Sequence, residues 1–232
     1  MKPEDLKYPF EESKKCVTIT NRVWYVPEKV ENEENFSFPG WHSPQLFGNV
    51  NPVKIEYCSG NGTWIAEKAE QDSEANWIGI EMRFGRIRKI WLKIVNKKLT
   101  NLLALCGEGF QSTKSYFPNE SVSEIYINFP DPWPKRRHER HRIFQFHFIQ
   151  ELWRILIPGG TVTVVTDDEV YSKQIIDKFH KTLVEPSMKE AFLSSYSSPY
   201  YIHELPGYGT SFFDDLWRSQ GKNIHYHLFK KV

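Results

Sequence analysis

The chain has 232 residues, of which 40% are hydrophobic and 15% aromatic, and its formal net charge is only +1. This apolar content is enough for a packed core, which excludes a chain that is disordered throughout, and the length suits one large domain with an extension. Because the charge is nearly balanced, any affinity for nucleic acid must come from local clusters of basic residues.

Neither the cysteines nor the N-terminal segment points to an oxidising compartment or to a membrane. Cys16, Cys58 and Cys106 lie far apart and match no disulfide or metal-binding spacing. The first residues lack the apolar core of a secretory signal, and no apolar run is long enough to span a bilayer. We therefore predict a cytoplasmic protein with no bound metal and no membrane partner.

Residues 1–50 show no clear periodicity and are predicted to form a partly irregular N-terminal extension to a main domain over residues 51–232. Strand and helix patterns alternate in that domain. The predicted strands cover residues 53–58, 77–81, 102–106, 122–129, 161–166 and 224–228, and the predicted helices cover residues 63–69, 87–95 and 144–157. The alternation predicts an α/β fold, with a mostly parallel sheet, helices on both faces and an antiparallel C-terminal strand.

Acidic residues lie at the ends of most of these predicted strands. Right-handed crossovers place the carboxyl ends of parallel strands on one edge of the sheet, where α/β proteins bind ligands. The acids at or near those ends are Glu56, Glu81, Glu108, Asp131 and Asp167. The sequence therefore predicts a ligand site with an acidic edge.

The turn Ser59-Gly60-Asn61-Gly62 follows the first of these strands. Gly60 lets a ligand approach the backbone closely because glycine has no Cβ. The dinucleotide fingerprint requires glycine or alanine where this chain has Ile65, which disfavours NAD. Glu81 follows Gly60 at roughly the 20-residue offset of an acid that binds ribose hydroxyls, so the turn and the acid together favour a nucleoside cofactor.

The acidity of this edge favours one cofactor. It would repel a pyrophosphate but attract the sulfonium and amino groups of S-adenosylmethionine. On this hypothesis Glu81 binds the ribose, Glu108 lies near the adenine and Glu56 lies near the methionine end. Each acid taken singly is equally compatible with ordinary surface charge, so the hypothesis depends on their common location.

The segment Asn128-Phe-Pro-Asp-Pro-Trp-Pro-Lys135 is the most specific motif of the chain. Two prolines flank Asp131 and stiffen the backbone on which its carboxylate is carried. A basic cluster suited to phosphates follows directly, and its members are Lys135, Arg136, Arg137, Arg140 and Arg142. A rigidly held acid beside such a cluster indicates an enzyme that acts on nucleic acid.

This segment resembles the bacterial tRNA (guanine-N7-)-methyltransferases, which methylate guanine-46 in the variable loop of tRNA. The resemblance runs from Phe47 through Asp167 and less clearly to the C-terminus. It implies a Rossmann-like class I methyltransferase fold with a seven-stranded sheet, S-adenosylmethionine as methyl donor, S-adenosylhomocysteine as product and tRNA as partner. The oligomeric state stays open between monomer and homodimer.

The resemblance also assigns roles to individual residues. Glu56, Glu81, Glu108 and Asp131 match the acids that contact S-adenosylmethionine in the family, Gly60 lies in its glycine turn, and Asp131 also matches its catalytic residue. Positions that contact tRNA or guanine in the family are matched by Lys135, Asp167 and Thr210. Because guanine N7 carries a lone pair and no proton, we expect Asp131 to orient and to stabilise charge rather than to abstract a proton.

The chain departs from the family pattern at three positions. Cys58 replaces the first glycine of the cofactor motif, Glu108 stands where aspartate is usual, and Phe213 stands where a glutamate is usual. Asp214 or Asp215 is a candidate to replace that glutamate. The departures leave guanine recognition by the C-terminal segment open.

Two other functions remain as alternatives. An amino-group methyltransferase acting on another RNA or on protein would carry paired prolines after its acidic or amide residue, and here Asp131 has a proline on each side instead. A non-catalytic RNA-binding module built on a methyltransferase fold is favoured only by the departures at Cys58 and Phe213.

Overall fold

The computed structural model of the chain describes residues 1–7, 15–29, 36–182 and 190–232. These residues form two compact units, Met1–Phe117 and Pro118–Val232. Both units contain strands and helices that alternate along the chain.

The described part of the first unit contains five strands, three α-helices and a short 3₁₀ helix at Pro3–Asp5. In chain order its elements are β1 (Thr18–Thr20), β2 (Val23–Tyr25), β3 (Val53–Tyr57), α1 (Thr63–Gln71), β4 (Asn76–Glu81), α2 (Phe84–Lys97), β5 (Leu102–Cys106) and α3 (Gly109–Tyr116). The strands and helices predicted between residues 53 and 106 are all present.

The sheet of the first unit is mostly parallel, as predicted. Strand β4 pairs in parallel with both β3 and β5, and Ile78 lies opposite Ile55 on one side and Leu103 on the other. Strand β2 also pairs in parallel with β5, while β1 pairs antiparallel with β2. The segment before residue 51 therefore contributes two strands to a sheet that sequence patterns placed entirely after it.

Packing in the first unit follows from its apolar side chains. The predicted periodicity of α2 is confirmed by burial of Ile87, Ile90, Trp91 and Ile94, each contributing about 1.5–3 kcal/mol to stability when removed from water. Trp24 of β2 is fully buried. Its indole makes ring contacts with Phe36, Phe38, Trp41, Tyr116 and Phe117.

The described part of the second unit contains four strands, three α-helices and a 3₁₀ helix at Arg136–His141. In chain order the strands and α-helices are β6 (Val122–Asn128), α4 (Phe146–Ile155), β7 (Leu156–Thr166), α5 (Glu169–Lys181), β8 (Phe192–Ser194), α6 (Phe212–Ser219) and β9 (His225–Lys231). Strand β7 pairs in parallel with β6 and antiparallel with β9, which also pairs antiparallel with β8. The predicted antiparallel C-terminal strand is confirmed.

Two predictions about these elements were wrong. The helix predicted to reach Ile157 ends at Ile155, because Leu156 already pairs with Val122 as the first residue of β7. The Pro158-Gly159-Gly160 sequence is an irregular part of that strand, and the pairing register shifts between Val122 and Glu124. The described residues also contain nine strands rather than seven, since the short strands β1, β2 and β8 carry little periodic signal.

None of the helices in the described ranges is long and apolar enough to cross a membrane.

Candidate active site

The strand register of the first unit brings the carboxyl ends of β3, β4 and β5 to the same edge. Glu81 is the last residue of β4 and lies opposite Cys106, the last residue of β5. Glu56 lies next to the end of β3, opposite Gly79. Glu56 is 2% exposed and Glu81 is 7% exposed, so both carboxylates are carried by nearly buried side chains.

Both oxygens of the Glu81 carboxylate accept a hydrogen bond. The backbone N–H of Arg83 donates to Oε1 at 3.0 Å, and Arg86 Nη1 donates to Oε2 at 3.2 Å. Burial and, to a lesser degree, the negative charge of Glu81 raise the pKa of the neighbouring Cys106 thiol to about 12. Cys106 is therefore an uncharged thiol at neutral pH and not a nucleophile.

Glu108 caps the N-terminus of α3. Its carboxylate accepts backbone hydrogen bonds from Phe110 at 3.1 Å and from Gln111 at 2.6 Å. Such a cap satisfies N–H groups that have no partner within the helix. A carboxylate has further lone pairs, so this structural role leaves capacity for another hydrogen bond.

The two glycines of the turn after β3 serve different purposes. Gly60 has a φ of +54°, and the nearest neighbour to a Cβ at this position would be 3.9 Å away. Gly62 has a φ of +67°, and a Cβ there would lie 2.6 Å from Cγ1 of Ile90. Gly62 is thus required by the packing of α1 on α2, whereas Gly60 leaves open space beside the backbone.

Cys58 adopts the conformation that glycine favours. Its φ is +61°, in the left-handed region that L side chains rarely occupy, and the residue is exposed. The left-handed conformation costs a residue with a Cβ roughly 1–2 kcal/mol. The strand-to-helix turn thus has a backbone suited to glycine at a position where this chain carries cysteine.

In the second unit, Asp131 lies on a strained loop directly after β6. The chain leaves the strand through Phe129, whose N–H donates to the carbonyl of Val165 at 2.9 Å. Phe129 has a φ of +47° and Trp133 a φ of +41°, so a left-handed residue lies on each side of Asp131. Backbone strain of this kind is found where the surrounding structure holds a functional group in place.

The carboxylate of Asp131 is exposed and fixed at one oxygen. The N–H of Trp133 donates to its Oδ1 at 3.0 Å. The Trp133 ring packs against His138 and His141, with centroid distances of 5.6 Å and 5.3 Å. These ring contacts favour a packing role for Trp133.

The contacts of Arg142 are not those predicted for a phosphate ligand. Its guanidinium donates to the carbonyl of Pro132 at 2.7 Å and to the carbonyl of Trp133 at 3.2 Å. The side chain is only 10% exposed and forms an ion pair with Glu139 at 2.9 Å. In contrast, Lys135, just before the 3₁₀ helix, and Arg137 and Arg140, within it, are exposed, as the predicted phosphate-binding cluster requires. The side chain of Arg136, also predicted to belong to this cluster, lies outside the described part of the structure.

Asp167 follows the end of β7 and is involved in an ion pair. Its Oδ2 lies 2.5 Å from Lys222 Nζ, and that ammonium lies 3.7 Å from the ring centroid of Trp217. The next residue, Asp168, caps α5 by accepting from the N–H of Tyr171 at 2.7 Å. Of the two adjacent acids, Asp168 is structural, and Asp167 is the candidate for ligand binding.

The C-terminal segment exposes Thr210 and Phe213 but not Asp214. Phe213 is 39% exposed, and its ring centroid lies 6.0 Å from that of Phe129, next to the Asp131 loop. Asp214 is 1% exposed and accepts from Arg218 Nε at 2.6 Å and from the hydroxyl of Tyr226. Because Asp214 is buried, it does not replace the glutamate that the family resemblance implies at position 213. Asp215 is exposed and is the other candidate.

Sequence reasoning missed the roles of two of these residues. The ion pair of Asp214 could have been predicted from the sequence, because Arg218 lies four residues later on an amphipathic helix. No local pattern indicates the contacts of Arg142 with the Asp131 loop.

Comparison with solved structures confirms the fold class. The crystal structure of the 16S rRNA methyltransferase KamB matches with a TM-score of 0.57 at 14% identity, covering 82% of this chain and 94% of that one. A SAM-dependent methyltransferase from Aquifex aeolicus matches with a TM-score of 0.54 at 10% identity, covering 79% and 85% of the two chains. The fold is therefore the Rossmann-like fold of class I methyltransferases.

Sequence comparison identifies the family. A family model described as a putative methyltransferase matches residues 50–225. A tRNA (guanine-N(7)-)-methyltransferase from Chlamydia muridarum is 44% identical over 231 residues, covering 100% of this chain and 98% of the relative. One from Rubrobacter xylanophilus is 28% identical, covering 81% and 80%. With the motif around Asp131, these matches show that the chain belongs to the tRNA (guanine-N(7)-)-methyltransferase family.

Proposed function

We propose that the protein transfers a methyl group from S-adenosylmethionine to N7 of a guanine in tRNA, with guanine-46 of the variable loop as the acceptor. The observation that carries the proposal is the exposed carboxylate of Asp131, held on a strained loop at a strand end in a member of this family.

The first unit is proposed to bind the cofactor, which supplies a methyl group bonded to a positively charged sulfur. Glu81, fixed by Arg83 and Arg86, accepts from the ribose hydroxyls, and Gly60 leaves the backbone open to the ligand. Glu108 lies near the adenine. Glu56, at 2% exposure, lies near the methionine end, whose amino group suits a carboxylate partner.

Asp131 is proposed to be the catalytic residue and to keep the cofactor contact that the family resemblance implies. Guanine N7 attacks with its own lone pair, so no general base is needed. The Asp131 carboxylate, fixed at Oδ1 by Trp133, accepts from the N1–H and N2–H edge of guanine. It also stabilises the positive charge that develops on the ring as the N7–carbon bond forms.

The remaining residues of the second unit are proposed to bind tRNA. Lys135, Arg137 and Arg140 are exposed beside the Asp131 loop and suit the phosphates around an unstacked guanine. Asp167 and Thr210 keep the guanine- or tRNA-contacting roles that the family resemblance implies. Phe213 presents an apolar ring where the family has a carboxylate, so this position favours stacking on a base over hydrogen bonding.

The direct test is incubation with radiolabelled S-adenosylmethionine and an unmodified tRNA transcript, followed by nucleoside analysis. The proposal predicts label in 7-methylguanosine only, and no label when position 46 of the transcript is adenine. Label on an exocyclic amino group would support an amino-group methyltransferase instead. Binding of tRNA without any labelled nucleoside would support a non-catalytic RNA-binding module.

A further inference from the structure

We propose that Arg142 is a positioning residue, which holds the Asp131 loop in the conformation that methyl transfer requires. The inference rests on the proposed function of Asp131. It assigns Arg142 to the protein's own backbone instead of to a tRNA phosphate.

The contacts of Arg142 with the loop use the shape of the guanidinium. Nε donates to the carbonyl of Pro132 at 2.7 Å, and Nη2 donates to the carbonyl of Trp133 at 3.2 Å. Two consecutive carbonyls are thus bound by one planar fork of donors. A lysine has only a single nitrogen at the end of a flexible chain and cannot reproduce this geometry.

One of these two carbonyls, that of Pro132, belongs to the peptide that determines where Asp131 lies, and the carbonyl of Trp133 belongs to the next peptide. The peptide between Pro132 and Trp133 carries the N–H that donates to Asp131 Oδ1 at 3.0 Å. Trp133 is in the left-handed region, with a φ of +41°, so its conformation needs outside support. Arg142 provides that support through hydrogen bonds to this peptide and to the one that follows it.

The other side of the guanidinium is anchored away from the loop. Arg142 Nη1 donates to Glu139 Oε1 at 2.9 Å and also to Oε1 of Gln174, a residue of α5. The guanidinium carbon lies 5.3 Å from the ring centroid of Tyr171, also on α5. The loop is therefore tied to a long helix of the same unit through a single side chain.

The electrostatics also argue against a role in phosphate binding. The Arg142 side chain is 10% exposed, and its charge is balanced by Glu139. The backbone carbonyl of Arg142 also accepts from Gln145 Nε2 at 3.0 Å, which fixes the residue at its main chain. A phosphate would have to displace Glu139 to bind this guanidinium.

The test compares Arg142→Met and Arg142→Lys with Arg154→Met. Arg154 is a matched control because it is a partly exposed arginine of the same unit, and its ion pair with Glu151 lies in α4.

Both Arg142 variants should lose about 10- to 100-fold in kcat at saturating tRNA and S-adenosylmethionine, since a loop displaced by about 1 Å costs this much. The tRNA Kd and its salt dependence should stay as in the wild type. Added guanidinium ion at millimolar concentration should partly restore kcat in Arg142→Ala.

Hydrogen exchange gives a readout that does not depend on activity. Exchange of the peptide that contains the Trp133 amide should speed up in Arg142→Met and not in Arg154→Met. Unchanged exchange, or an unchanged kcat with a weaker tRNA Kd and a shallower salt dependence, would overturn the positioning role. A wild-type protein without turnover would contradict the proposed function, and the exchange comparison would still decide the role of Arg142.

Discussion

The hydroxyl of Tyr226 donates a hydrogen bond to the buried carboxylate of Asp214, and burial together with this bond raises the pKa of Tyr226 to about 12. Asp214 also accepts from Arg218 Nε at 2.6 Å, so both of its oxygens are used inside the unit. Asp214, the acid that directly follows Phe213, is thus structural, and exposed Asp215 is the remaining candidate to replace the glutamate that the family resemblance implies.

Substituting Asp214 should therefore affect stability and not guanine recognition. Asp214→Asn loses the charge that holds Arg218 and Tyr226, and we expect the free energy of unfolding to fall by about 2 kcal/mol. The KM for tRNA, measured well below the melting temperature, should not change. Asp215→Asn is the control, because Asp215 is exposed and its loss should leave stability unaltered. A raised tRNA KM in Asp214→Asn would reinstate this acid as a recognition residue.

The exposed basic cluster should determine how salt affects tRNA binding. Arg137→Glu combined with Arg140→Glu replaces two exposed positive charges beside the Asp131 loop by negative ones. Fewer counterions are then released on binding, so the tRNA Kd should rise and the slope of log Kd against log salt should become shallower by about 1–2. Lys173→Glu combined with Lys181→Glu, at two exposed positions of α5, is the control for the same change in net charge. Equal slopes in all three proteins would show that the cluster is only a solvated surface.

Replacing Cys58 by glycine should stabilise the protein. The φ of +61° strains a residue with a Cβ, and glycine relieves this strain. Glycine also raises the conformational entropy of the unfolded chain, which offsets part of the gain. We expect a net increase of about 1 kcal/mol in the free energy of unfolding, measured in urea. Cys58→Ala also loses the thiol but keeps the Cβ, so it should show no such increase. Equal stability of the glycine and alanine variants would show that the backbone conformation at position 58 does not destabilise the protein.

Buried His227 should make the protein sensitive to mild acid. Burial lowers the pKa of His227 from 6.5 to about 4, and its Nδ1 lies 3.0 Å from the carbonyl of Tyr200. Between pH 6.5 and 4 the unfolded chain binds a proton at this position while the folded chain does not. The free energy of unfolding should thus fall as the pH is lowered through this window, by roughly 3 kcal/mol at most.

His227→Gln should flatten this pH dependence, whereas His147→Gln, at an exposed position of α4, should not. Denaturant unfolding at several pH values measures both. The same slope in His227→Gln and in the wild type would mean that other groups cause the acid sensitivity.

The sequence was sufficient to predict the elements whose hydrophobic pattern is local. The buried face of α2 and the parallel strands β3, β4 and β5 follow from periodicity within about ten residues. Strands β1 and β2 escaped prediction because each has only three residues. Burial of Trp24 in β2 depends on Tyr116 and Phe117, about 90 residues away, and no local pattern shows such a contact.

The same limit applies to the candidate site. Asp131 was recognisable because its motif is contiguous, and the acids of β3 and β4 because strand ends are predictable. Arg142 was grouped with the exposed arginines because its neighbours in sequence are basic. Its partners Gln174 and Tyr171 come from a helix about 30 residues later, and only the folded unit brings them together.

The most direct test of the central claim is the kcat of Asp131→Asn for methylation of guanine-46. Asparagine keeps an oxygen that can accept from the Trp133 N–H but removes the negative charge. Glu169→Gln, at an exposed acid of α5, controls for the loss of one negative charge. We predict a loss on the order of 100- to 1,000-fold in kcat with an unaltered melting temperature. A kcat within about threefold of the wild-type value would contradict the assignment of Asp131 as the catalytic carboxylate.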